Sequence, residues 1–221
     1  MDFDVHVLQQ HAGALLGGFL TTLGVVAASL LLATVLGLLG CLGSLTPHPA
    51  IVRVSRWYVD FFRVVPDVVL IFWVYFCFPP LFGLRLSATM SGILALALGT
   101  GAFLAEVFRA GVLSVPRGQL DAAFALGIPS FHRWYQVILP QAVRRMMPAF
   151  VNTVTDLLKH SSLLAGITAG EMTYVAYTIG AQTFRYVETL SAVAVAYFVV
   201  IFPLSLYVRR AESHAVRRMG Q

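Results

Sequence analysis

The chain has 221 residues, 58% of them hydrophobic and only 11% charged, well below the roughly 25% charged content of a soluble domain. This composition excludes an ordinary water-soluble globule and points to a membrane protein. The formal charge of +5, from 15 Lys plus Arg against 10 Asp plus Glu, could serve nucleic acid or a membrane surface, and the placement of the charges decides between them.

The opening Met1-Asp2-Phe3-Asp4 is acidic and lacks the basic start of a secretory signal, so the first apolar run is expected to be retained as a span. That run, residues 13–42, exceeds the roughly 20 residues that cross a bilayer core. Gly13, Gly17, Gly24, Ala33 and Gly37 scatter small side chains along it, which permits close helix approach. Pro47 and Pro49 end it. Next, Arg53, Arg56, Asp60 and Arg63 alternate with Trp57, Tyr58, Phe61 and Phe62, the pattern of an interfacial helix at headgroup level. Span two is expected over 66–81, with Asp67 near its entrance and Pro79-Pro80 at its exit.

Residues 86–105 carry no charge and, at about 1.5 Å per residue, cover roughly 30 Å of hydrocarbon as span three. Residues 107–145 then form a connection far longer than the usual 4–6 residues or so. Span four is expected over 146–168, with Asp156 and Lys159 inside it, and span five over 189–208. The polar, aromatic segment 171–188 need not cross. With five spans the termini face opposite sides. Placing the N-terminus outside puts twelve of the fifteen basic residues inside, including Arg109, Arg117, Arg133, Arg144, Arg145, Arg209, Arg210, Arg217 and Arg218. Only Arg85 and Arg185 lie outside. This asymmetry follows the positive-inside rule, makes the 107–145 connection and the C-terminus cytoplasmic, and leaves no basic surface for nucleic acid.

Within that connection, Gly118–Pro140 is a charged, helix-forming island. Ser114 and Pro116 resemble a helix start, Gly127 a helix stop, and Ile128-Pro129 a turn into a second helical piece that ends near Pro140. The pattern alone fits either a long helical loop or a compact knob that docks another protein. Cys41 and Cys77 lie in apolar runs without metal or redox spacing and read as small core hydrophobes. His6, His11, His48, His132 and His214 are dispersed, so no metal site is expected. Ser161 and Ser162 beside His160 do not make a triad, because adjacent helix residues do not face each other, and no catalytic residue is expected.

Asp121-Ala122-Ala123, three residues, Gly127, nine residues, Val137, one residue, Leu139-Pro140 resembles the cytoplasmic E-A-A signature of ABC importer permeases, with Asp for Glu and Val for Ile. Further segments resemble polar amino acid permeases of the histidine and glutamine uptake type: T-T-L at 21–23, Y-V-D-F-F-R at 58–63, G-A-F-L-A-E-V-F-R-A-G at 101–111, V-P-R-G-Q at 115–119, V-I-L-P-Q-A-V-R at 137–144 and L-L-K at 157–159. The resemblance covers about residues 13–212. It implies an all-α, type I ABC importer permease in the bacterial inner membrane, one domain with five transmembrane helices. It also implies a second permease subunit, identical or related, a dimer of separate ATPases, and an extracytoplasmic substrate-binding protein. The ATPase would grip the loop at Asp121, Ala122, Ala123, Leu126 and Gly127. Independently, a Walker A loop needs G-x-x-x-x-G-K-[ST], and the single lysine, Lys159, precedes His160 in an apolar run. ATP must therefore be bound by a partner, and this chain carries no cofactor of its own.

Asp67, Glu106, Asp156, Lys159 and Glu171 lie in or beside spans, where each costs a few kcal/mol unless it meets a partner or water. Asp156 and Lys159, three apart on one helix face, form either a mutual ion pair or a path contact in which Asp156 recognises a substrate ammonium or guanidinium. Glu106 and Arg109 have the spacing of a structural pair. Several positions depart from the family pattern: Val64-Val65 where Gly-Thr is common, Asp67 for an apolar residue, Leu70 where Gln is frequent, and His160 for an acid. The added acid at Asp67 points to a cationic substrate. A self-contained, ion-coupled transporter or channel is the alternative, opposed by the small number of spans and the absence of an inverted repeat.

Overall fold

The computed structural model describes residues 3–219, without the side chains of Arg209 and residues 211–219. Arg209, His214, Arg217 and Arg218 therefore lie outside the described side chains. The described residues are helical almost throughout: α1 (Val5–Gln10), α2 (Ala12–Leu45), α3 (Pro49–Val64), α4 (Asp67–Phe72), a π turn (Trp73–Cys77), α5 (Phe78–Phe82), α6 (Ala88–Leu113) and α7 (Arg117–Ala125). Then come α8 (Ser130–His132), a second π turn (Arg133–Ile138), α9 (Leu139–His160), a 3₁₀ segment (Ser161–Ile167), α10 (Met172–Thr183) and α11 (Tyr186–Met219). Local chemistry sets several starts. Ser87 accepts from the Met90 N–H to cap α6, and Pro49 occupies the first turn of α3, where a missing N–H costs nothing.

Among the described residues, α2, α6 and residues 186–208 of α11 are long and apolar enough to cross a membrane, and α3 with 67–82 forms a pair bent by 105°. The break falls at Val65-Pro66, where proline disfavours a helical residue before it. Several helix bounds differ from the expected spans. Helix α6 continues to Leu113 instead of stopping near 105, and α9 runs over Leu139–His160 instead of 146–168. The 107–145 connection is thus shortened from both ends. Pro140 does not end the second helical piece either; it sits in the first turn of α9. Proline has no N–H and crowds the carbonyl one turn back, and the wider π turn just before it relieves that crowding. The same arrangement recurs at Trp73–Cys77, which precedes Pro79-Pro80.

Helices α2 and α6 pack so closely that small residues are required. A Cβ on Gly37 would come within 2.8 Å of Leu104 Cβ, one on Gly40 within 2.9 Å of Ala105 Cβ, and one on Gly101 within 2.8 Å of Tyr58 Oη. Ala33 is fully buried in this seam. By contrast, Gly13, Gly17 and Gly24 have nothing near an added Cβ, so only the second half of the expected small-residue run makes contact. Tyr58 donates to the Leu98 carbonyl at 2.9 Å and ties α3 to the middle of α6. Replacing Gly101 by Leu is expected to destabilise the fold by about 1–3 kcal/mol, read as a lower midpoint of thermal aggregation in detergent.

The core joins Val25, Ile71, Leu96, Leu157, Leu164 and Ile167 from α2, α4, α6, α9 and the 3₁₀ segment. Cys41 is buried, as expected of a core thiol, but Cys77 is exposed and is not a core residue. Most of the 171–188 segment forms α10, and its last residues begin α11; α10 packs against α2, α1 and α11 through Met172, Ala176 and Ile179.

Candidate functional site

The Gly118–Pro140 island folds as a knob. Helix α7 ends in a Schellman motif: the Ile128 N–H donates to the Ala123 carbonyl at 3.1 Å and the Gly127 N–H to the Phe124 carbonyl at 2.9 Å. Gly127 takes φ +66° with nothing within 4 Å of an added Cβ, so its conformation suits glycine while the space around it stays open. Ala123 is buried, whereas Asp121, Ala122, Leu126 and Gly127 are exposed. Ala123 thus belongs to the knob's own packing, and the other four to its surface.

Beside them, Phe124 is 71% exposed, Leu126 78%, Phe131 76% and Tyr135 66%. These four large side chains flank the glycine turn and stay exposed. Of these, Leu126 is among the residues expected to couple, whereas Phe124, Phe131 and Tyr135 are not. The Arg133 guanidinium lies 5.3 Å from the Phe124 ring centroid and donates to Ser130 Oγ at 2.8 Å, which fixes α8 against α7. The knob's base is held by Val115, Ile138 and Ala142, packed with Val112 and Leu120. Gln141 donates to Gln119 and Arg145 to the Ser114 carbonyl. These contacts join the knob to the ends of both α6 and α9.

Four of the five charges in or beside spans lie in ion pairs. Arg109 donates through Nε and Nη2 to both carboxylate oxygens of Glu106, each at 2.8 Å, the expected structural pair in bidentate form. Lys159 donates to Asp156 at 3.1 Å, with both side chains more than half exposed. Asn152, Asp156 and Lys159 share one exposed face of α9. The pairing between elements went unforeseen: His160 Nδ1 lies 3.2 Å from Asp67 Oδ2, while Asp67 Oδ1 sits over Gly99 of α6, 3.2 Å from an added Cβ. The start of α4, the middle of α6 and the end of α9 therefore meet at one polar point. The signal was present in the sequence as two separate departures from the family pattern, an acid gained at 67 and an acid lost at 160.

Glu171 is fully buried and caps α10, accepting from the Thr173 and Tyr174 N–H groups at 2.8 and 2.7 Å. Burial pushes its carboxyl above the usual range, against the pull of those donors. Ser161 is buried and donates to the Leu158 carbonyl. Among the described residues no group of three His, Cys, Asp or Glu gathers as metal ligands.

Residues 37–221 match the family described as "Binding-protein-dependent transport system inner membrane component". The chain is 31% identical over 198 residues to the arginine transport system permease protein ArtQ of Bacillus subtilis (strain 168), covering 90% of each chain. It is 35% identical over 187 residues to the same organism's "Probable amino-acid permease protein YxeN", covering 84% of each. The structure titled "Crystal structure of an amino acid ABC transporter with histidines" superimposes with a TM-score of 0.86 at 29% identity, over 95% of this chain and all of that one. The all-helical fold, with three helices, or four counting the bent pair, long and apolar enough to cross a membrane among the described residues, and the family match meet in one assignment: the chain is a permease subunit of the binding-protein-dependent transport system inner membrane component family.

Proposed function

We propose that this chain forms the translocation path of an ABC importer for a polar, cationic amino acid and is driven by separate ATPase subunits docked on the knob around Gly127. The observation that carries the reading is the knob itself. It exposes Phe124, Leu126, Phe131 and Tyr135 around a glycine turn whose base is fastened to α6 and α9. A rigid surface joined to two bundle helices converts a partner's closure into helix movement. The names of the similar proteins, for arginine, glutamine and other amino acids, support the substrate class. The exposed Asp156 supports a cationic one, whereas Asp67 is engaged by His160.

In this reading α9 is the fourth of five spans. Its polar face of Asn152, Asp156 and Lys159 meets water and the second permease copy, which can be identical or related. ATP is bound and hydrolysed by the partner dimer, and an extracytoplasmic binding protein delivers substrate to the opposite face. The chain performs no bond chemistry. Reconstituted with its ATPase and binding protein, the permease is expected to show ATP hydrolysis stimulated by ligand-loaded binding protein. Substrate uptake by the chain alone without ATP would overturn the assignment.

The N-terminus faces outside and the C-terminus the cytoplasm. In spheroplasts, a single cysteine at Ala125, in a chain with Cys41 and Cys77 replaced by Ser, is expected to resist an impermeant maleimide until the membrane is opened. Labelling of intact spheroplasts at that position would reverse the orientation.

A further inference from the structure

A cavity of about 420 Å³ opens between the end of α2, the charged face of α3 and the last turns of α6. Arg56, Asp60 and Arg63 of α3 line it, with Glu106 and Arg109 of α6. Both Glu106 oxygens are occupied by Arg109; Arg56 and Arg63 line the cavity with Asp60 as the remaining carboxylate, and the Arg63 guanidinium also lies 5.3 Å from the Phe103 ring centroid. An adjoining concavity of about 510 Å³ shares Arg56 and Asp60 and adds Arg53.

These guanidiniums are exposed and sit on a helix bonded to the middle of α6 through Tyr58, with the composition of an interfacial helix at headgroup level. The neighbouring face of α3 is apolar and uncovered. Trp57 is 65% exposed, Phe61 44% and Val64 80%, and the Trp57 and Phe61 rings stack at 5.3 Å. One helix therefore presents phosphate-binding donors beside a hydrocarbon-binding strip.

We propose that this cavity binds the phosphate headgroup of an anionic phospholipid of the cytoplasmic leaflet, with an acyl chain lying along Trp57 and Phe61. The leaflet rests on the orientation given above. The site itself follows from charge complementarity, since basic pockets between transmembrane helices on the cytoplasmic side suit anionic headgroups.

The test is native mass spectrometry of the assembled transporter, released from nanodiscs of phosphatidylglycerol and phosphatidylcholine. Wild type is expected to retain phosphatidylglycerol about tenfold or more over phosphatidylcholine, and R56Q/R63Q to lose that preference. An Arg85→Gln control on the opposite side is expected to keep it. Glycerophosphate and inorganic phosphate, added as competitors, are expected to displace the lipid poorly because they lack the chain. Equal retention of both lipids by wild type, an unchanged preference in R56Q/R63Q, or full displacement by inorganic phosphate would each overturn the proposal. So would loss of lipid from the assembled transporter with the face covered by a subunit. These readings count retained lipid and do not depend on the leaflet, which the maleimide experiment decides separately.

Discussion

Gly127→Arg is expected to abolish stimulation of the ATPase while leaving the permease folded and inserted. An L-residue at a left-handed φ of +66° costs about 1–2 kcal/mol, and no neighbour within 4 Å obstructs the first carbon. The fold therefore tolerates the change. The docking surface does not, because a long cation would rise among the exposed Phe124, Leu126 and Phe131 side chains. Loss of a central interface contact costs about 2 kcal/mol or more, so stimulated hydrolysis should fall at least about thirtyfold. Gly127→Ala separates the two effects: it carries the same backbone strain without the bulk and is expected to retain most of the coupling. Normal stimulated hydrolysis by Gly127→Arg would remove the knob from the mechanism.

Asp156→Asn is expected to lower uptake of a cationic amino acid by about tenfold to a hundredfold, the range of a lost charge-assisted hydrogen bond, and to shift preference toward neutral substrates. The Asp156–Lys159 pair is more than half exposed on both sides, and such pairs contribute little to stability, so a folding defect should not account for the loss. Lys159→Gln provides the contrast. If the pair mattered only to itself, both single variants would fall alike and the Asp156→Asn, Lys159→Gln double variant would recover. If Asp156 contacts substrate, the double variant should stay as poor as Asp156→Asn. Unchanged transport and preference in Asp156→Asn would remove it from the path.

Much of this architecture was legible because its determinants are local. Asp121 to Gly127 carry a helix and its glycine stop within seven residues, and the Schellman bonds realise that reading. Glu106–Arg109 and Asp156–Lys159 are i, i+3 pairs, which helical geometry alone brings together. Helix ends were harder, because apolar content marks the depth of the bilayer and not where hydrogen bonding stops. Thus α6 extends past its uncharged stretch through the Glu106–Arg109 pair to Leu113. The contact of Asp67 with His160 is marked in the sequence only as two unconnected departures, because joining them depends on how far α4 and α9 approach around Gly99. The exposed aromatics of the knob were printed in the sequence, but charge drew attention to the island and hid its apolar surface.

The π turn at Arg133–Ile138 sets a phase relation between the knob and the membrane. Each residue of an α-helix turns the chain by about 100°. Deleting one residue from this turn would turn the Asp156 face of α9 by that much relative to the docking surface, with every individual side chain kept. The knob and the path therefore share a register, and insertions or deletions between them should be tolerated far less than substitutions.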